Sequence, residues 1–138
     1  MAGYSKTPLA GKLGIKPNTA VVVMNEPAHY RKLLGNPAKS VTFSNRTKSG
    51  CEFVHFFTIL RNDLQKELKK LRNTIADAGV VWVSWPKKSS GVATDVTEDV
   101  IREVALPLGF VDVKVCAVDE TWSGLKLMIR RENRKSQK

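Results

Sequence analysis

The chain has 138 residues, of which 42% are hydrophobic, and a formal net charge of +10 at neutral pH. This length fits one domain that buries a core without disulfides or metals, and the composition excludes a largely disordered chain. No apolar run approaches the ~20 residues needed to cross a bilayer. Because the first residues also lack the apolar core of a signal peptide, we expect a cytoplasmic protein.

The first third of the chain predicts an arm followed by alternating strands and one helix. Residues 1–18 are expected to form the arm, with a single helical turn. Residues 19–25 are almost uniformly apolar, which is typical of a parallel strand covered on both faces. A short helix is predicted over 27–34, because proline suits a first helical turn and Gly35 suits a helix end. Further strands are predicted over 40–43 and 51–58.

Two longer helices are predicted in the remainder of the chain. The first has an apolar stripe at helical spacing, is capped by Asn62 or Asp63 and ends at Gly79. Its stripe consists of Leu64, Leu68, Leu71 and Ile75. A strand over 80–85 follows, and the second helix is capped by Asp95 or Thr97 and ends at Pro107.

The final strands, over 110–118 and 125–130, are predicted to pair as an antiparallel hairpin. The order of elements predicts a three-layer α/β fold with a mostly parallel, Rossmann-like sheet and helices on both faces. We expect one domain over 1–131 and a basic, disordered tail over 132–138.

The order of elements resembles the core of class I S-adenosylmethionine-dependent methyltransferases, including their closing hairpin. That resemblance implies a glycine-rich turn after the first strand, where bare backbone lets the cofactor approach. The sequence has MNEPAHY at 24–30, without glycine, and TFSN at 42–45, without an acid to hold a ribose. We therefore expect the methyltransferase-like fold with no cofactor.

Four segments resemble a bacterial family described only as a domain of unknown function. They are YSKTPLA at 4–10, WVSWPKK at 82–88, TEDVIREVALPLG at 97–109 and VDETWSG at 118–124. This resemblance spans the chain and implies a bacterial cytoplasmic protein, but it supplies no activity and no site residues.

Ligands of open α/β sheets bind beyond the carboxyl ends of the strands, where several polar and aromatic residues are predicted to lie. The candidate ligand-binding residues are Asn25, Glu26, Trp85, Lys87, Lys88, Asp119, Glu120 and Trp122. The turns after Trp85 and before Trp122 should meet in space, with the tryptophans as an apolar wall and the lysines favouring an anion. The alternative is that the tryptophans only pack in the core and the lysines are solvated.

Other chemistry-bearing residues form no recognisable motif. His29 and His55 lack partners at metal-ligand spacing, and we expect no metal site. His29 is predicted to lie on the surface and His55 in the core. Cys51 and Cys116 are predicted to be buried, reduced thiols.

These observations favour a non-catalytic domain that binds a small ligand or regulates a protein partner. One alternative is an enzyme acting on a small anionic substrate at the carboxyl edge. The other is nucleic-acid binding through the basic surface, although residues 130–138 alone account for four of the ten excess positive charges. No membrane partner is expected.

Overall fold

The computed structural model describes residues 9–35 and 40–134. Its helices and strands, numbered along the chain, are α1 (Leu9–Leu13), β1 (Ala20–Met24), α2 (Tyr30–Leu34), β2 (Thr42–Ser44), β3 (Cys51–Phe57), α3 (Arg61–Thr74), β4 (Ile75–Pro86), α4 (Glu98–Leu108), β5 (Phe110–Ala117) and β6 (Trp122–Ile129). None of these helices is long and apolar enough to span a bilayer.

One six-stranded sheet organises the molecule, in the order β2-β1-β3-β4-β6-β5. The first four of these strands are parallel, and β6 pairs antiparallel with both β4 and β5. The sheet therefore confirms the predicted α/β fold with a closing antiparallel hairpin.

The two faces of the sheet carry separate cores. Leu64, Leu68 and Leu71 of α3 pack with Ile101 of α4 on one face, together with alternate residues of β3, β4 and β6. On the other face, α1 and α2 cover the remaining alternate residues, and the indole nitrogen of the buried Trp82 donates a hydrogen bond to the carbonyl of Leu13. The alternation of side chains along each strand explains why both faces are apolar and both are covered.

Helix α3 differs from its prediction at both ends. It begins at Arg61, whose backbone N–H donates to Oδ1 of Asp95 at 2.6 Å, so the cap comes from a distant segment rather than from Asn62 or Asp63. It ends at Thr74 and not at Gly79, because Ile75 already pairs with Cys51 in the sheet while remaining buried in the same core.

Helix α4 resolves the alternative left open by its sequence. Thr97 is the cap, and its hydroxyl accepts a hydrogen bond from the backbone N–H of Val100. The prediction that Pro107 ends the helix is wrong by one residue, since Pro107 lies inside the last turn. Gly109, with a φ of 102°, provides the left-handed end.

Three shorter elements begin later or earlier than predicted. Helix α2 starts at Tyr30, because Pro27 belongs to the turn before it. That turn is closed by a hydrogen bond from the N–H of Tyr30 to the carbonyl of Pro27. Strand β2 is shifted toward Ser44. Strand β6 starts at Trp122, because the carboxylate of Asp119 closes a tight turn before it.

The chain ends are described only in part. In the predicted arm, α1 packs into the core, while residues 1–8 lie outside the described residues. In the predicted tail, residues 131–133 form a 3₁₀ turn and the guanidinium of Arg134 donates to the carbonyl of Ile129. Asn133 and Arg134 thus contact the domain, while residues 135–138 of the predicted tail lie outside the described part.

Candidate functional site

Two turns meet at the carboxyl edge of the sheet. The backbone N–H of Lys87, just after β4, donates to the carbonyl of Thr121, just before β6, at 2.7 Å. Pro86 and Trp122 are directly paired in the antiparallel ladder. The turns that the sequence analysis expected to converge are therefore in direct contact, which follows from the pairing of β4 with β6.

The two tryptophans of these turns lie on opposite faces of the sheet. Trp85 is paired with Ser123, one residue out of step with Trp122, and a one-residue offset places side chains on opposite faces. Trp85 is buried in the core beneath α3 and α4. Trp122 is half-buried on the other face, with its ring 5.0 Å from that of Phe57. They cannot form the single apolar wall that the sequence analysis expected.

Asp119 is the best-anchored acid of the edge. One of its oxygens accepts from the backbone N–H groups of Thr121 and Trp122, and the other accepts from Nε2 of His29 at 2.9 Å. Burial alone would raise the pKa of Asp119, but the hydrogen bonds from His29, Trp122 and Thr121 outweigh it and hold the pKa below its usual range. Asp119 is therefore a carboxylate that links the β5–β6 turn to the start of α2.

His29 was assigned only to the surface by its sequence. Its side chain is half exposed, as expected, yet it pairs with a mostly buried acid 90 residues away. A local pattern gives no sign of such a pair, because it depends on the position of β1 relative to β5 and β6. His29 is thus the residue of this edge that sequence reasoning missed.

Asn25 and Glu26 occupy the turn after β1. Asn25 has a φ of 59°, a left-handed conformation that asparagine tolerates better than most residues, and its side-chain NH₂ donates to the carbonyl of Phe57. This bond joins the carboxyl ends of β1 and β3. Glu26 forms an ion pair with Arg31 at 3.4 Å, and the Arg31 guanidinium lies over the ring of Phe43.

Lys87, Lys88 and Glu120 are the charges that remain open to solvent at the joined turns. Lys88 and Glu120 are exposed and Lys87 is half-buried. None of the three belongs to an ion pair within the described part of the chain. The hydroxyl of Ser90 donates to the carbonyl of Lys87 and shapes the 3₁₀ turn that presents the two lysines.

Three buried polar side chains are hydrogen-bonded to one another on the α2 face of the sheet, just below this edge. His55 is hydrogen-bonded through Nδ1 to the Tyr30 hydroxyl and through Nε2 to the Ser84 hydroxyl, each at 2.8 Å. Burial lowers the pKa of His55 to about 3, so the imidazole is neutral and uses one nitrogen as donor and the other as acceptor. All three side chains are fully buried, so this set stabilises the core and offers no surface to a substrate.

The carboxyl edge also has a small cavity of about 240 Å³ on the side of α3. It is lined by Met24, Asn25, Phe56, Asp63, Lys66 and Glu67. This volume is below that of typical small-molecule pockets, which is roughly 300–1,000 Å³.

The turn after β1 does not fit S-adenosylmethionine. Close approach of a cofactor to backbone requires residues without side chains, whereas here Asn25 bridges to Phe57 and Glu26 pairs with Arg31. After β2, Asn45 and Arg46 stand where a ribose would require an acid.

Neither cysteines nor metal ligands add chemistry to the site. Cys51 and Cys116 are free thiols, as predicted, but they are half-buried rather than buried, and burial raises the pKa of both. No group of three or more metal-ligating side chains occurs within residues 9–35 and 40–134.

The fold is that of methyltransferases. A protein of Sulfolobus solfataricus assigned to the type 11 methyltransferases superimposes with a TM-score of 0.65 at 15% identity, covering 94% of this chain and 95% of its own. For an S-adenosylmethionine-dependent methyltransferase of Aquifex aeolicus the TM-score is 0.62 at 13% identity, with 88% and 87% covered. Aeropyrum pernix fibrillarin, solved with natively bound S-adenosyl-L-methionine, gives 0.53 at 10% identity, with 91% and 70% covered. Identities this low show the fold alone.

No curated protein matches the chain in sequence. The model of one protein family does match, over residues 55–131, which is more than half of the chain. The matched part contains the joined turns at the carboxyl edge and both longer helices. The chain therefore belongs to the DUF3052 family, described as proteins of unknown function.

Proposed function

We propose that this protein is a non-catalytic binding domain, in which a methyltransferase-like sheet presents its carboxyl edge to a small anionic ligand. The observation that carries the proposal is that side chains of the turn after β1 hold the turn in place. They do so through the Asn25–Phe57 hydrogen bond and the His29–Asp119 pair. A turn fixed in this way supports binding at the surface rather than cofactor chemistry.

The joined turns supply the charge for such a ligand. Lys87 and Lys88 carry two positive charges without ion-pair partners in the described part of the chain, and they lie beside the turn at 119–121, whose exposed residue is Glu120. The ammonium groups would bind the anion, and the backbone of the 3₁₀ turn would position them. The contact between the turns keeps this surface rigid.

The test is titration of inorganic phosphate and of citrate into the protein at low salt, followed by calorimetry. Lys87→Ala combined with Lys88→Ala should weaken binding about tenfold or more. Lys69→Ala combined with Lys70→Ala removes the same charge from α3 and should leave binding nearly unchanged. Equal weakening by both double variants would show that only net charge matters and would contradict the proposed site.

A second candidate function is general-base catalysis by His29, and the His29–Asp119 pair favours it. A mostly buried carboxylate orients a half-exposed imidazole at the edge where α/β enzymes bind their substrates. Hydrolysis of p-nitrophenyl esters or phosphates that is lost on His29→Gln, and retained on Lys69→Ala, would favour this enzyme over the binding domain. No hydrolysis by the wild-type protein would leave His29 in its structural role.

A further inference from the structure

A second cavity lies at the opposite edge of the sheet. Its volume is about 720 Å³, and it is formed where β1, β2 and β3 begin, at Ala20, Thr42 and Cys51. Because these three strands are parallel, their amino ends share one edge, and the loops entering them form the walls. This cleft is separate from the joined turns at the carboxyl edge.

The charge of the cleft is strongly biased. Among the described residues that line it, Lys16, Arg46 and Lys48 are cationic and Glu52 is the one acid. All three cations are exposed, and none forms an ion pair with any described residue. Elsewhere, Arg102 is surrounded by three carboxylates and Arg31 and Arg61 each have one. The cleft therefore gathers three cations whose charge is available to a ligand.

Hydroxyl groups complete the lining. Thr42, Thr47 and Ser49 face the cleft and make no side-chain hydrogen bond within the described part of the chain. Hydroxyls and ammonium or guanidinium groups are the side chains that donate to phosphate oxygens. The loop between β2 and β3 is held by two backbone hydrogen bonds. The N–H of Gly50 donates to the carbonyl of Thr74, and the N–H of Cys51 donates to the carbonyl of Lys48.

We infer that this cleft binds a small ligand that carries two or more linked phosphate groups. Three cations against one carboxylate match the charge of such a ligand, and the volume lies within the range of small-molecule pockets, roughly 300–1,000 Å³. The described residues of the lining include no aromatic side chain, so they offer no stacking platform of the kind typical of single-stranded nucleic-acid binders. This favours a compact phosphate ligand over a nucleic acid.

The experiment is titration of inorganic tripolyphosphate into the full chain at low salt, measured by calorimetry. Arg46→Ala combined with Lys48→Ala should weaken binding about tenfold or more. A matched variant, Lys69→Ala with Lys70→Ala, removes the same charge from α3. It should bind tripolyphosphate within about twofold of the wild type.

The remaining outcomes overturn the inference. No heat of binding at millimolar tripolyphosphate, or equal weakening in the cleft variant and the α3 variant, would show that the cleft is not a phosphate site. A single-stranded RNA that binds more tightly than tripolyphosphate and is lost in the same cleft variant would assign the cleft to nucleic acid instead. If alanine at 46 and 48 disturbs the loop, as seen by circular dichroism, Arg46→Gln with Lys48→Gln tests the same charges. Loss of tripolyphosphate binding in Lys87→Ala with Lys88→Ala, without loss in the cleft variant, would move the phosphate to the carboxyl edge.

Discussion

His29 and Asp119 lie 90 positions apart in the chain, yet Nε2 of the histidine is 2.9 Å from Oδ2 of the aspartate. The aspartate side chain is only 10% exposed, whereas that of the histidine is 51% exposed. This pair links the turn after β1 to the β5–β6 turn along the carboxyl edge of the sheet.

Replacing Asp119 with asparagine should destabilise the protein in a pH-dependent way. The hydrogen bonds favour the charged carboxylate, so its contribution is present above the unfolded pKa and is lost as pH falls through the folded value. We expect Asp119→Asn to lower the free energy of unfolding by about 1–2 kcal/mol near neutral pH. The difference from the wild type should shrink below about pH 4, as measured by urea unfolding. A constant difference at all pH values would show that the charge does not contribute, and Glu120→Gln serves as the control.

Acidification should also destabilise the protein through His55. Its pKa is lowered to about 3 by burial, while the unfolded chain binds a proton near pH 6.5. Stability is therefore complete above about pH 6.5 and is lost progressively toward about pH 3. Between about pH 7 and about pH 5 the loss should be about 2 kcal/mol.

The chain has two histidines, which makes a matched comparison possible. His55→Gln should remove this dependence on pH, although the variant itself is less stable because the hydroxyls of Tyr30 and Ser84 lose their ideal partner. His29→Gln should retain the dependence. If His29→Gln abolished it instead, the exposed histidine would be the group responsible.

Asn25 offers a test of the turn after β1 at a single position. Asn25→Gly loses the hydrogen bond to Phe57 but adopts the φ of 59° freely. Asn25→Ala loses the same bond but keeps a Cβ in the left-handed region, whereas glycine has none. The alanine variant should therefore be less stable than the glycine variant by about 1 kcal/mol. Urea unfolding of both variants measures the difference. Equal stabilities would indicate that the turn relaxes to another conformation.

Local pattern predicted the fold well where periodicity and burial coincide. The spacing of Leu64, Leu68 and Leu71 identified α3, and the apolar run at 19–25 identified a doubly covered parallel strand. Ile75 continued the same helical spacing, but pairing with Cys51 placed it in a strand. Periodicity cannot tell whether Ile75 ends a helix or begins a strand, because either conformation buries its side chain in the same core.

The site depended on information that no local pattern contains. Strand-end reasoning brought the two turns together correctly, since the final hairpin pairs with β4. The register of that pairing places Trp85 and Trp122 on opposite faces of the sheet. A register shifted by one residue would have placed both on the same face. The cap that Asp95 provides to α3 likewise arises only when the sheet edge is assembled.

We propose that this methyltransferase-like fold does not bind S-adenosylmethionine. Calorimetric titration of S-adenosylmethionine into the purified chain is the most direct test of that proposal. We predict no measurable binding at micromolar ligand concentrations, because the side chains of Asn25 and Glu26, held by Phe57 and Arg31, occupy the turn where bare backbone is required. Asn25→Gly removes the bridging side chain and is the control for that turn. Binding of S-adenosylmethionine to the wild-type chain with micromolar affinity would contradict the proposal of a non-catalytic binding domain.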